Sequence, residues 1–227
     1  MKGLIFKDIS SIKKVLILTL LAVITLFVFS SLVIAGSKRL NDFDMSLEFV
    51  YMAPTLIMLF FSDILITPFN EDRKCTWNKF QKTLYISNKK VVLSRYISCM
   101  IILLISLTLG ELSTITIALM NDIKIKALMI LMPYIALCIL LIILFIQLPL
   151  LYKYDNDMVA DGVIIAFAVI LSLISVFIFK DNPEILKNIS LDNIFIKTIL
   201  ILSPVILAGL GYLSVNLSSK FYSGREF

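Results

Sequence analysis

No histidine occurs anywhere in the chain. That absence removes the imidazole needed for a Ser-His-Asp triad, for a histidine-ligated zinc, or for a general base that titrates near neutrality. A self-contained hydrolase is therefore not expected. Cysteine is scarce and odd in number: Cys75, Cys99 and Cys138 fall on one polar stretch and within two apolar runs. Such a set reads as free thiols rather than a disulfide framework. No G-x-x-x-x-G-K-[ST] phosphate loop is present, so the chain is not expected to hydrolyse ATP itself. Charge is also sparse, at 16% of residues, against about 25% in soluble domains.

What fills the chain is apolar. Hydrophobic residues make up 59% of it, above the ordinary range of about 45–50%, and they come in long continuous runs. The runs predict an all-α polytopic membrane protein, one transmembrane domain over residues 1–227, with six spans near 15–36, 49–69, 96–120, 127–151, 161–179 and 198–218. Helices are expected rather than barrel strands, because the runs do not alternate and a helix satisfies its own backbone in lipid. The first run is too long for a secretory signal and has no small-residue cleavage site. With both termini placed in the cytoplasm, the inner segments hold twice as many lysines and arginines as the outer loops, as the positive-inside rule requires. That bias accounts for the net charge of +5 and suits an anionic inner leaflet, so nucleic acid is not implied.

The opening "MKGLIFKDISSIKK" places Leu4, Ile5, Ile9 and Ile12 on one helical arc, the pattern of a helix of residues 1–14 lying in the membrane interface. Asp8 interrupts that arc. Inside the spans, Asp63 in "FFSDILITPF" and Glu111 in "LTLGELSTI" are candidate translocation groups, since a carboxylate at bilayer depth costs at least about 2.5–3.5 kcal/mol. The bland alternative for Glu111 is a hydrogen-bonded carboxyl stitching helices, and for Asp63 a pairing with a basic loop residue. Pro54, Pro68, Pro133, Pro149 and Pro204 read as kinks, and "AGLGY" in the last run as close helix packing. The loop "KYDNDMVAD" lacks the glycine and terminal glutamate of a calcium loop, so no metal is expected.

Between the second and third runs lies "NEDRKCTWNKFQKTLYISNKK", residues 70–90, with eight charged side chains. Read as one helix over about 71–84, it sets Trp77, Phe80 and Leu84 on one side and Glu71, Lys74, Lys79 and Lys82 on the other, with Asp72 flanking the charged side. Arg73 falls on the apolar side and needs a partner. A topological connector needs no such length, and an amphipathic helix here reads as a docking element for a cytoplasmic partner.

"MKGLIFKD", the six runs and "EDRKCTWNKFQKTLYISNKKVVLSRY" together resemble the short permeases of ABC-2-type ATP-binding-cassette transporters, found chiefly in bacteria. Asp72, Trp77, Phe80, Thr83, Leu84, Ile86, Ser87, Val92, Ser94, Arg95 and Tyr96 match that group's pattern, while Tyr85 and Asn88 depart from its usual proline and arginine. The resemblance implies a bacterial cell-membrane exporter built from two permeases, identical or different, and two cytoplasmic ATPases that carry the ATP and magnesium. No cofactor is implied on this chain. Residues 71–84 would be the coupling helix, with Glu71, Asp72, Arg73, Trp77, Phe80, Lys82 and Leu84 as its contact residues. Short permeases of this group are associated with membrane-active peptides such as bacteriocins and staphylococcal phenol-soluble modulins. The short outer loops and mostly aliphatic spans agree with an amphipathic cargo. The rival expectation from another class is an ATP-independent carrier or channel using Glu111 as a proton or ion site.

Overall fold

The computed structural model describes residues 2–39, 55–58, 61, 63–75, 77–83, 86–120, 127–154, 156, 158, 162–167, 169–170 and 194–224. Within them the regular elements are helical: α1 Lys2–Ser11, α2 Lys13–Arg39, a 3-10 turn Asp63–Leu65, α3 Thr67–Lys74, α4 Trp77–Thr83, α5 Asn88–Met120, α6 Ala127–Tyr154 and α7 Ile194–Ser223. Among the described residues, α2, α5, α6 and α7 are long and apolar enough to cross a membrane. They correspond to the first, third, fourth and sixth predicted spans. Residues 49–54, 59, 60 and 62 of the second predicted span, most of the fifth, the outer loop 180–193 and most of the acidic loop 155–161 lie outside the described residues.

α2 and α5 suit lipid because their hydroxyl side chains are satisfied within the helix. Along α2, Thr19, Thr25, Ser30 and Ser31 each donate to a carbonyl three or four residues back, and Ser106, Thr108, Ser113, Thr114 and Thr116 do the same along α5. A hydroxyl paired in this way carries no unmet hydrogen bond into an apolar medium. α5 has 33 residues, a length of about 50 Å at 1.5 Å per residue. The hydrocarbon layer is about 30 Å thick, so about 20 Å of the helix, nearly four turns, can stand outside it. The polar end is the beginning: "SNKKVVLSR", expected as a loop, instead forms the run-up and first two turns of α5.

Two further boundaries differ from the sequence reading. The second predicted span was expected to continue to residue 69, yet the chain tightens into the 3-10 turn and starts α3 at Thr67, with Pro68 in the first helical positions. A proline is welcome there because the N–H it lacks would have had no partner in the helix, whereas further inside it would break the ladder. The second difference is that residues 71–84 are not one helix. α3 closes at Lys74, where the Cys75 N–H bonds the Glu71 carbonyl, and α4 starts afresh at Trp77. Cysteine and threonine at 75 and 76 are weak helix formers, so little local propensity opposes the break.

Contacts divide the chain into two compact units, Met1–Leu137 and Cys138–Phe227. In the first, α1 packs chiefly on α5 and also on α3. α1 joins α2 almost without interruption, since the Leu16 N–H bonds the Ile12 carbonyl across the joint. The core here includes Leu4, Ile12, Phe61, Ile64, Phe69, Val92, Tyr96 and Leu103, all buried. The apolar arc of α1 is thus turned largely toward protein: Leu4 and Ile12 are buried, while Ile9 is exposed.

In the second unit the later part of α6 packs on α7. Ser214 donates to the Phe145 carbonyl at 2.6 Å, Tyr152 meets Tyr222 edge-on at 5.6 Å, and the Phe145 ring closes on Gly211, where an added Cβ would lie 3.0 Å from its Cζ. Gly209 has open space around it. Gly211→Val should therefore destabilise the α6–α7 contact by about 1–3 kcal/mol through overpacking, with Gly209→Ala close to neutral, as read from thermal unfolding of the purified chain in detergent.

Candidate functional site

The most concentrated polar feature of the described residues lies where α1, α3 and α5 meet. Arg95, on the second turn of α5, reaches two carboxylates at once. Its Nη1 is 3.0 Å from Asp8 Oδ1, and its Nη2 donates to Asp72 Oδ2. Lys7 donates to the other Asp72 oxygen and stands 3.6 Å from Asp8 Oδ1. Ser98, one turn further along α5, donates to Asp8 Oδ2 at 3.5 Å. Two cations thus face two anions from three helices. Asp72 is 2% exposed and Arg95 6%.

Aromatic rings wall the cluster. The Arg95 guanidinium lies 4.6 Å from the centroid of Phe69, and Lys7 Nζ lies 4.8 Å from that of Trp77. Trp77 and Phe80 form a tilted pair at 5.1 Å. The break at Cys75 makes this arrangement possible. On a single helix Asp72 and Trp77 would diverge by about 140° at 100° per residue, yet both touch Lys7. Breaking the helix swings Trp77 back over the lysine that Asp72 binds.

Burial raises the Asp8 carboxyl above its ordinary value, against the opposing pull of Arg95 and Lys7 and with a further upward push from Asp72. Each charge in the cluster has two opposite partners, and removing one leaves the remainder out of balance in a largely desolvated site, where an uncompensated charge is costly.

The predicted coupling residues divide across the two short helices. Asp72 is in the cluster. Glu71 pairs with Lys74 at 2.9 Å on the outer side, and Arg73 donates to Asn70 Oδ1 at 2.8 Å, the partner its position called for. Phe80 is 52% exposed beside the partly covered Trp77. The side chain of Lys82 and all of Leu84 lie outside the described residues. Asp63 opens the 3-10 turn, and its side chain lies outside them too. Glu111 sits half-buried along α5, well over a dozen residues from Arg95 and apart from the cluster. Lys7 and Asp8 were not singled out as site residues. The available signal was Asp8 itself, a carboxylate interrupting an apolar arc.

A family model described as ABC-2 family transporter protein matches residues 3–223, nearly the whole chain. The chain belongs to the ABC-2 transporter family. No curated protein and no solved structure matches it. An ABC-2 permease is the multi-pass membrane component of an ABC transporter and associates with ATPase subunits that are separate from it. In this ABC-2 permease the charged cluster connects the segment between the second and third predicted spans to α5 and to the amino-terminal helix.

Replacing Arg95 with leucine leaves two buried carboxylates with Lys7 alone between them and should cost about 3–5 kcal/mol, as for other broken buried pairs. Arg95→Leu combined with Asp72→Asn and Asp8→Asn should recover much of that loss, measured by chemical unfolding in detergent. A pH effect follows as well. Because the folded-state pKa of Asp8 is raised above 3.8, the folded chain holds that proton more firmly than the unfolded chain. Its contribution is therefore complete below that value and is lost as pH rises through the elevated pKa. Melting temperature followed against pH should show this fall in the native chain and lose that component in Asp8→Asn.

Proposed function

We propose that this permease exports amphipathic, membrane-active peptides across a bacterial cell membrane, driven by ATP hydrolysed on partner subunits. The observation that carries the coupling half of this reading is the shared grip on Asp72. A displacement of α3 is passed to the span α5 through Arg95 and to α1 through Lys7, without an intervening flexible side chain on the Arg95 route. α3 and α4 together form the docking element, with Phe80 and Trp77 as the apolar contact and Glu71, Arg73 and Lys82 around it. Both termini are cytoplasmic in this arrangement, and the transporter contains two ATPases and a second permease, the same or different. ATP and magnesium reside on the ATPase subunits.

The peptide cargo is supported by sequence character. Among the described residues, α2 and α5 present aliphatic surface interrupted by hydroxyls bonded to their own helix, a character that suits an amphipathic cargo better than a sugar or an ion. Glu111 offers a half-buried carboxylate on α5, the feature on which a proton-linked carrier would depend. Family membership favours the ATP-driven reading over that carrier.

Trp77→Ala with Phe80→Ala should leave the chain inserted in the membrane and lower ATP-driven transport by at least about ten-fold, the equivalent of 1.4 kcal/mol of lost coupling. Transport by reconstituted vesicles, read beside ATPase activity, checks this, and undiminished transport by the double variant would remove the coupling assignment. Deleting the gene should sensitise cells to a panel of cationic and amphipathic peptides; unchanged sensitivity would count against that cargo.

A further inference from the structure

α1 has a second face that the charged cluster does not use. Its inward side carries Leu4 and Asp8, both buried. Between about 120° and 180° round the helix, at 100° per residue, stand Lys2, Phe6 and Ile9. Phe6 is 75% exposed and Ile9 39%. Just beyond, Lys13 and Lys14 are exposed at the start of α2. Asp8 is the one acidic residue in the α1 sequence, and it is turned inward onto Arg95 and Ser98. The outer face therefore carries basic and apolar residues together with the neutral Ser10, and no carboxylate.

We infer that this outer face is a docking surface for anionic phospholipid, with Phe6 and Ile9 entering the acyl boundary and Lys2, Lys13 and Lys14 binding headgroup phosphates. Two features select a lipid over a protein occupant. The face is continuous with a membrane-crossing helix, since α1 runs into α2 across the hydrogen-bonded joint at Ile12, which fixes α1 near headgroup level. An aromatic side chain with lysines and no carboxylate also complements an anionic interface. The sequence places the arc Leu4, Ile5, Ile9 and Ile12 at the membrane. The structure turns Leu4 and Ile12 inward and leaves the lipid face to Phe6 and Ile9. A lysine near such a surface favours anionic over neutral lipid by about five-fold, so three give a preference on the order of a hundred-fold when all engage.

The test needs no ATPase and is independent of the coupling reading. In the full-length chain, Trp77→Phe removes the native tryptophan and Phe6→Trp places a fluorophore on the outer face. The variant is reconstituted into phosphatidylcholine–phosphatidylglycerol vesicles with bromine on the acyl chains of either lipid, at matched mole fraction. The expected result is stronger quenching by brominated phosphatidylglycerol, reduced by high salt and abolished by Lys2→Gln with Lys13→Gln and Lys14→Gln. Lys2→Arg should retain it. Equal quenching by the two lipids would overturn the inference by showing contact without headgroup selection. Absence of quenching would overturn it too, as would a fluorophore shielded only when an ATPase subunit is added, which would give the face to that protein. Should the triple variant fail to insert, Lys2→Gln alone decides through a partial loss of the selective quenching against full retention.

Discussion

One guanidinium holds the described part of the first unit together. Arg95 faces Asp8 from α1 and Asp72 from α3, and both carboxylates are shared with Lys7. Apolar packing of α1 on α5 would by itself tolerate sliding along the helix, because aliphatic contacts have little directional preference. A fork of donors against fixed carboxylate oxygens does not. The register of α1, the angle of α3 and the placement of Trp77 over Lys7 follow from where Arg95 stands.

That dependence explains why the polar stretch between the second and third spans is built as two short helices rather than one. A single amphipathic helix divides its residues into two faces, and Asp72 and Trp77 would lie on different ones. The chain needs both against Lys7 while leaving Phe80 outward. A break at Cys75 meets these demands at little cost, because each piece is supported by tertiary contacts rather than by its own helical propensity.

Much of the fold was legible from hydropathy. α2, α5, α6 and α7 fall where long apolar runs placed them, and helix is the state that lipid imposes on such runs. The boundaries of α5 and α3 were less legible. Hydropathy marks where the oily part begins, while α5 continues as a helix into charged sequence because Arg95 and Ser98 are used on its surface, and α3 starts early because Pro68 fits a first turn. The site was half legible. Asp72, Arg95 and Trp77 stand in the stretch that resembles the family pattern, but their partners Lys7 and Asp8 lie more than sixty residues away. A wheel drawn on one helix has no means of showing that its unwelcome carboxylate is answered by an arginine on another. The same limit applies to α1, where arc counting set Leu4 and Ile12 toward the membrane and the structure buries both against protein, since such counting ranks faces by hydrophobicity and does not tell a protein neighbour from a bilayer.

The separation along the chain has a bearing on biogenesis. Lys7 and Asp8 leave the ribosome first, Asp72 much later and Arg95 last, with membrane crossings between. Until the last arrives, two negative charges have one lysine between them. The four neutralise one another only when all three stretches of chain end on the same side of the bilayer, so a chain inserted with one crossing missed would split the cluster, leaving Asp8 with Lys7 and Arg95 with Asp72 alone. The cluster would thus discriminate correctly threaded chains from misthreaded ones while α6 and α7 have yet to be made.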